Sequence, residues 1–186
     1  MKLNDRLNNS LEVDGKTYEA DMSFNNVLDI FDVLKDPRLF LGMKLELIIK
    51  LLFGRETDLP EKYWLEVWKM VKEDWIDVAS AQAIEYDVMG EPMPVDPGEK
   101  SLDFEYDAKY IYASFRQIGI NLFEEQGKMH WEEFQALLEA LPEDTIIQRI
   151  RSIRTRTTEG LSGKQKAELI KLKNLYALPN PDRKEE

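Results

Sequence analysis

One histidine, His130, stands beside Trp131 in a chain of 186 residues that has no cysteine. A catalytic zinc site takes several His or Cys ligands, and this sequence cannot supply them. His130 reads as a residue at the entry to a helix. Glu124 and Glu125 place two carboxylates on a short turn, but without the regular Asp spacing and bidentate terminal Glu of a calcium loop, so they read as a solvated face. No Gly-rich phosphate loop and no nucleophile elbow occurs. Arg149, Arg151, Arg154 and Arg156 form the one basic cluster. Their spacing covers a broad side of a helix, and nucleic-acid binding would have to overcome the field of a chain with net charge −11. No catalytic, cofactor or metal residue is assigned, and no enzymatic activity is expected.

What remains is aromatic. Trp64, Trp68 and Trp75 share a stripe with Tyr63, Val67 and Val71, and Trp131, Phe134 and Leu138 share another. Such stripes are ordinarily core, yet tryptophans gathered on one face also form a patch that receives an apolar segment of a client. These six residues, Trp64, Trp68, Trp75, Trp131, Phe134 and Leu138, are the candidate partner-binding residues.

The elements that carry them are mostly helical. Leu11 to Ala20 reads as a β-hairpin, because Asp14-Gly15 suits a turn with positive φ at both central positions. A lone hairpin is marginal in water; it docks as a flap on its own core or offers its backbone edge to a partner strand. Ser23 caps a helix whose Phe24, Val27, Leu28, Phe31 and Leu34 fall at helical spacing. Pro37 suits the first position of the next helix. That helix, Leu39 to Phe53, is apolar on most sides and is expected to lie between other helices or against a second subunit. A long helix, about Pro60 to Ala83, follows. Prolines 92, 94 and 97 with Gly90 and Gly98 forbid a helix across the next stretch. Helices are then expected over Asp103 to Ile118, a short turn at Leu122 to Gln126, Trp131 to Ala140, a segment capped by Asp144 or Thr145 through Ile153, and Gly163 to Tyr176 behind Ser162. The predicted fold is mainly α, a helical bundle with a small N-terminal β-hairpin. The predicted divisions are residues 1–85 as hairpin plus helical lobe, 86–101 as linker or loop, 102–178 as a C-terminal helical region, and 179–186 as a disordered tail.

No apolar run reaches membrane-spanning length, and MKLNDRLNNS has no secretory h-region. With cysteine absent, a reducing cytoplasm is the expected setting. Thr145 to Glu186 carries ten Lys and Arg against five Asp and Glu, so an acidic body bears a basic tail. That asymmetry fits a solvated helix face, or a contact between tail and body or between subunits.

The strings EYDAKYIYASF, INLFEEQGKMHW, LLEALPEDT and IRSIRTR resemble the phage Gp15 family, found in tail-gene clusters of phages and prophages. The resemblance covers the C-terminal third well and the N-terminal half loosely. It implies a tail assembly chaperone-like protein in the bacterial host cytoplasm, which binds and shields the tape measure protein during tail morphogenesis. The alternative it leaves is a minor structural component of the tail. The implied partners are the tape measure protein or other tail proteins, with a homo-oligomer possible in principle and no nucleic acid or membrane.

Overall fold

A computed structural model of the chain describes residues 4, 6–77 and 101–179. Among them are a two-stranded antiparallel hairpin and seven α-helices, so the fold is mainly α with a small N-terminal hairpin. Residues 86–100 of the expected linker 86–101, and residues 180–186 of the expected disordered tail 179–186, lie outside the described residues. The chain forms two units. One comprises Met1–Ala83 with Phe123–Glu139, and the other Ile84–Leu122 with Ala140–Glu186. This differs from the contiguous division read from the sequence, because the stretch around Trp131 belongs with the N-terminal elements.

In the first unit, β1 (Ser10–Val13) pairs with β2 (Lys16–Glu19) across Asp14 (φ 54°) and Gly15 (φ 75°). Both turn residues are left-handed, as a two-residue hairpin turn requires. Leu11 and Val13 point into the core, so β1 supplies the apolar face of the hairpin. α1 (Phe24–Lys35) spans the expected residues. Ser23 occupies its N-cap position without capping it. The Ser23 amide donates to Asp21 Oδ1 (3.0 Å), and its buried hydroxyl has no partner among the described residues.

α2 (Leu41–Phe53) starts later than expected. Pro37 lies in a turn in which the Asp36 carboxylate accepts bonds from the Arg38 amide and guanidinium, and Phe40 takes the N-cap position. That bonding holds the Asp36 pKa down at about 2. The single helix expected from Pro60 is a 3₁₀ turn at Glu61–Tyr63, then α3 (Trp64–Val71), then a π-helical turn at Lys72–Ile76. The wider π turn advances each residue by a smaller angle, which brings both Trp75 and Ile76 onto the buried side. Residues 78–83 of the expected helix lie outside the described residues.

The returning segment joins this unit through the main chain. The Phe24 amide donates to Met129 O (3.0 Å), and the Trp131 amide donates to Met22 O (2.8 Å). The Gly127 amide donates to Asn25 Oδ1 (2.7 Å). α5 (Trp131–Glu139) then lies on α1. Phe134 stacks on Phe24 with centroids 4.9 Å apart, and Phe31 meets Trp131 edge-on at 5.5 Å. The stretch 122–129 leading to α5 is a run of turns, which includes the short turn expected at Leu122 to Gln126.

In the second unit, α4 (Ala108–Gln117) begins after a turn in which Asp103 Oδ1 accepts the Glu105 and Tyr106 amides. Gly119 (φ 91°) supplies the left-handed stop. α6 (Ile146–Thr155) is capped from outside its own sequence. The Thr145 hydroxyl donates to Pro142 O, while Ser114 Oγ of α4 accepts the Ile147 amide (3.1 Å) and donates to Tyr110 O (2.7 Å). α7 (Gly163–Leu175) begins with a capping box between Ser162 and Gln165. Arg154 ties these pieces together. It donates to both carboxylate oxygens of Asp107 (2.6 and 2.8 Å), to Ser101 O (2.9 Å) and to Tyr176 O (2.7 Å). Its side chain is 8% exposed and that of Asp107 is 1% exposed.

Arg154→Met leaves the Asp107 carboxylate as a buried charge without its cation. Urea unfolding should show a loss of about 3–5 kcal/mol, and adding Asp107→Asn should recover part of it. Ser23→Ala should cost well under the ~1 kcal/mol of an ordinary N-cap loss, because the hydroxyl makes no bond; a full cap-sized loss by the same measurement refutes this.

Candidate functional site

The structure places all six sequence-derived candidates in the first unit. Trp68, Trp75, Trp131, Phe134 and Leu138 are buried, Trp131 with only 1% of its surface exposed. Trp64 is half-buried, and its indole donates to Leu59 O (2.9 Å). The Trp131 indole donates to Ile76 O (3.2 Å). Five of the six therefore fill the protein's own core, and Trp64 stays partly exposed at its edge. Helical periodicity finds an apolar face but does not say what covers it.

The polar candidates are dispersed. His130 lies half-buried opposite Ser23, and its Nδ1 accepts the Glu132 amide (3.2 Å) in the first turn of α5. It serves the helix entry expected of it. Burial pushes its pKa below the ordinary histidine value, and Glu132 and Glu133 oppose that shift. Nε2 is buried without a partner among the described residues. The arginine cluster is split: Arg154 is the buried clamp, whereas Arg149 and Arg151 line an open cavity of about 710 Å³ with Glu143, Gln148 and Ser152. Among the described residues, no group of three His, Cys, Asp or Glu side chains could hold a metal ion.

A line of exposed apolar residues lies elsewhere in the first unit, on α2. This helix buries Ile48, Ile49 and Leu52. Its opposite side carries Phe40, Met43 and Leu47 into solvent, with half-buried Leu51 continuing the line. Spacings of three and four residues make this a second apolar stripe along one helix. Phe40 is 68% exposed and the adjoining Leu41 is 75% exposed. The Phe40 ring lies back over Gly42, where an added Cβ would come within 3.2 Å of it. The Glu46–Lys50 ion pair borders the stripe, and Lys44 Nζ donates to Leu34 O (2.6 Å), closing the end of α1. An isolated exposed leucine is ordinary, whereas a contiguous apolar line beside charged groups marks an interaction surface. Such a line can receive the apolar face of another helix; it holds no group able to make or break a covalent bond. The sequence already showed α2 as apolar on most sides. It did not show which of those sides the rest of the chain would leave bare.

Because the folded chain favours neutral His130 more than the unfolded chain does, acid works against folding. Stability attributable to His130 is present above its ordinary pKa of 6.5 and declines as pH falls through and below that value. His130→Asn keeps an acceptor for the Glu132 amide without titrating, so its urea midpoints on either side of that pH should differ less than those of the parent chain.

No described helix is long and apolar enough to cross a membrane. Neither a comparison with curated proteins nor one with solved structures gave a match. The family described as Bacteriophage Gp15 protein matches residues 3–178, which is nearly the whole length and includes both units. The chain belongs to the bacteriophage Gp15 protein family, and its role is therefore one in phage structure or morphogenesis.

Proposed function

We propose that the protein is a phage tail assembly chaperone that binds the tape measure protein and shields its apolar helix faces during tail morphogenesis. The observation that carries this reading is the outward stripe of Phe40, Met43 and Leu47 on α2. A long coiled-coil client exposes apolar residues at heptad spacing until its final partners arrive. A rigid helix bearing the same spacing can cover one such seam, in the manner of helix-in-groove recognition. Membership of a phage structural and assembly family supports the setting. The tryptophans contribute indirectly in this reading: Trp68 and Trp75 lie buried in the unit from which α2 projects its stripe.

Co-expression with the tape measure protein from the same phage should yield a complex on pull-down and raise the client's soluble fraction. Phe40→Asp combined with Leu47→Asp should abolish that complex while leaving the urea midpoint nearly unchanged, because both side chains are exposed. Trp131→Ala should instead lower stability by about 3–5 kcal/mol. Absence of a complex, or a complex indifferent to the α2 substitutions, would refute the reading. Mass spectrometry of purified virions should find the chaperone missing; its presence there would favour a minor tail component.

A further inference from the structure

The β-hairpin has a free edge beside a groove, and the function proposed above does not use it. The ladder follows from the turn. In a two-residue hairpin the residues flanking the turn exchange hydrogen bonds and the pattern then alternates. Val13 and Lys16 are such a pair, then Leu11 and Tyr18; the Ala20 amide bonding Asn9 O at 2.7 Å continues the series. Thr17 and Glu19 therefore aim their amides and carbonyls away from β1, and no described residue bonds to these backbone groups. On the other strand, Asn8 Oδ1 accepts the Ser10 amide (3.2 Å), so that edge is partly closed.

The open edge of β2 borders a groove of about 570 Å³ whose far side is the chain from Phe53 to Asp58. Its two ends are fixed. The Asp21 amide donates to Leu52 O (2.7 Å) at one, and Lys16 pairs with Asp58 at the other. Tyr18 meets Phe53 edge-on at 6.2 Å between them, which gives an apolar floor. Glu19 and Glu56 are exposed along the rim with Arg55, so carboxylates outnumber the one guanidinium there. An occupant must offer backbone donors and acceptors at strand spacing, which a helix spends on itself. Its alternate side chains meet the Tyr18–Phe53 floor and the rim carboxylates.

We propose that this groove takes an extended segment of a partner polypeptide as a third strand on β2, one that alternates apolar and basic side chains. The apolar residues rest on Tyr18 and Phe53, and the basic ones face Glu19 and Glu56. The backbone of Thr17 and Glu19 supplies the pairing. This surface is separate from the α2 stripe, so a partner can engage either without the other.

The probe is a short fluorescein-labelled synthetic peptide of alternating valine and lysine, titrated against the full chain by anisotropy. Binding is expected, with new protection of the Thr17 and Glu19 amides in hydrogen exchange. Thr17→Pro removes an outward amide that the hairpin ladder does not use, and should weaken binding by about tenfold or more. The same peptide N-methylated on its backbone should fail against the unaltered chain, which tests the edge even if the proline variant folds poorly. Phe40→Asp should leave binding intact, so failure of the α2 reading and failure of this one are distinguishable. No binding, binding without protection at Thr17 and Glu19, or equal binding of the N-methylated peptide overturns the proposal.

Discussion

The first unit depends on a short main-chain pairing between Met22–Phe24 and Met129–Trp131. Two backbone bonds there fix where Trp131 enters the unit. The ring contacts with Phe31 and Phe134 and the indole bond to Ile76 follow from that position. Each bond contributes about 0.5–1.5 kcal/mol net, far less than the burial of a tryptophan and a phenylalanine. Their larger effect is directional: the bonds decide which aromatic residues become core. Once Trp131, Phe134 and Leu138 are committed inward, the apolar surface this unit leaves exposed includes the outer side of α2.

The second unit uses a different solution. Its centre includes a guanidinium that satisfies a carboxylate and two carbonyls from two separate segments. A buried ion pair gives little net stabilisation over a well-packed apolar substitute, but losing one partner is costly. Arg154 therefore acts as a specifier of arrangement. It fixes the start of α4 against the end of α7, where apolar contact alone would tolerate sliding. Ser114 does the same on a smaller scale, since one hydroxyl caps α6 and bonds back into α4.

Much of the local fold was legible in the sequence because local physics decides it. Asp14-Gly15 specified the hairpin turn, and the stripe from Phe24 to Leu34 specified α1 to the residue. The expected helix end at Ile118 lies one residue past the last residue of α4. The errors arose where tertiary structure overrode a local preference. Pro37 had the chemistry of a first helical residue, but the Asp36–Arg38 contacts hold it in a turn. Ser23 had the chemistry of a cap, but its hydroxyl is buried away from the amides. The π turn at Lys72–Ile76 leaves no signature in spacing. The six aromatic and apolar candidates were correctly grouped into faces, yet covering those faces required the returning stretch 123–139, and Gly127 meets Asn25 across 102 residues of chain. No periodicity within a helix encodes a contact at that separation.

The interrupted first unit has a consequence for how the protein is made. Its last helix lies beyond the whole of α4 in the order of synthesis, so the unit cannot be completed as its N-terminal portion emerges. At about 5–20 residues per second, the ribosome needs roughly 3–11 s to go from Ile84 to Glu139. Throughout that interval the Phe24 and Phe31 side of α1 has no α5 to meet. Slow codons between those two points would prolong the time a nascent chain spends with that aromatic face of α1 uncovered, which makes translation speed a determinant of yield.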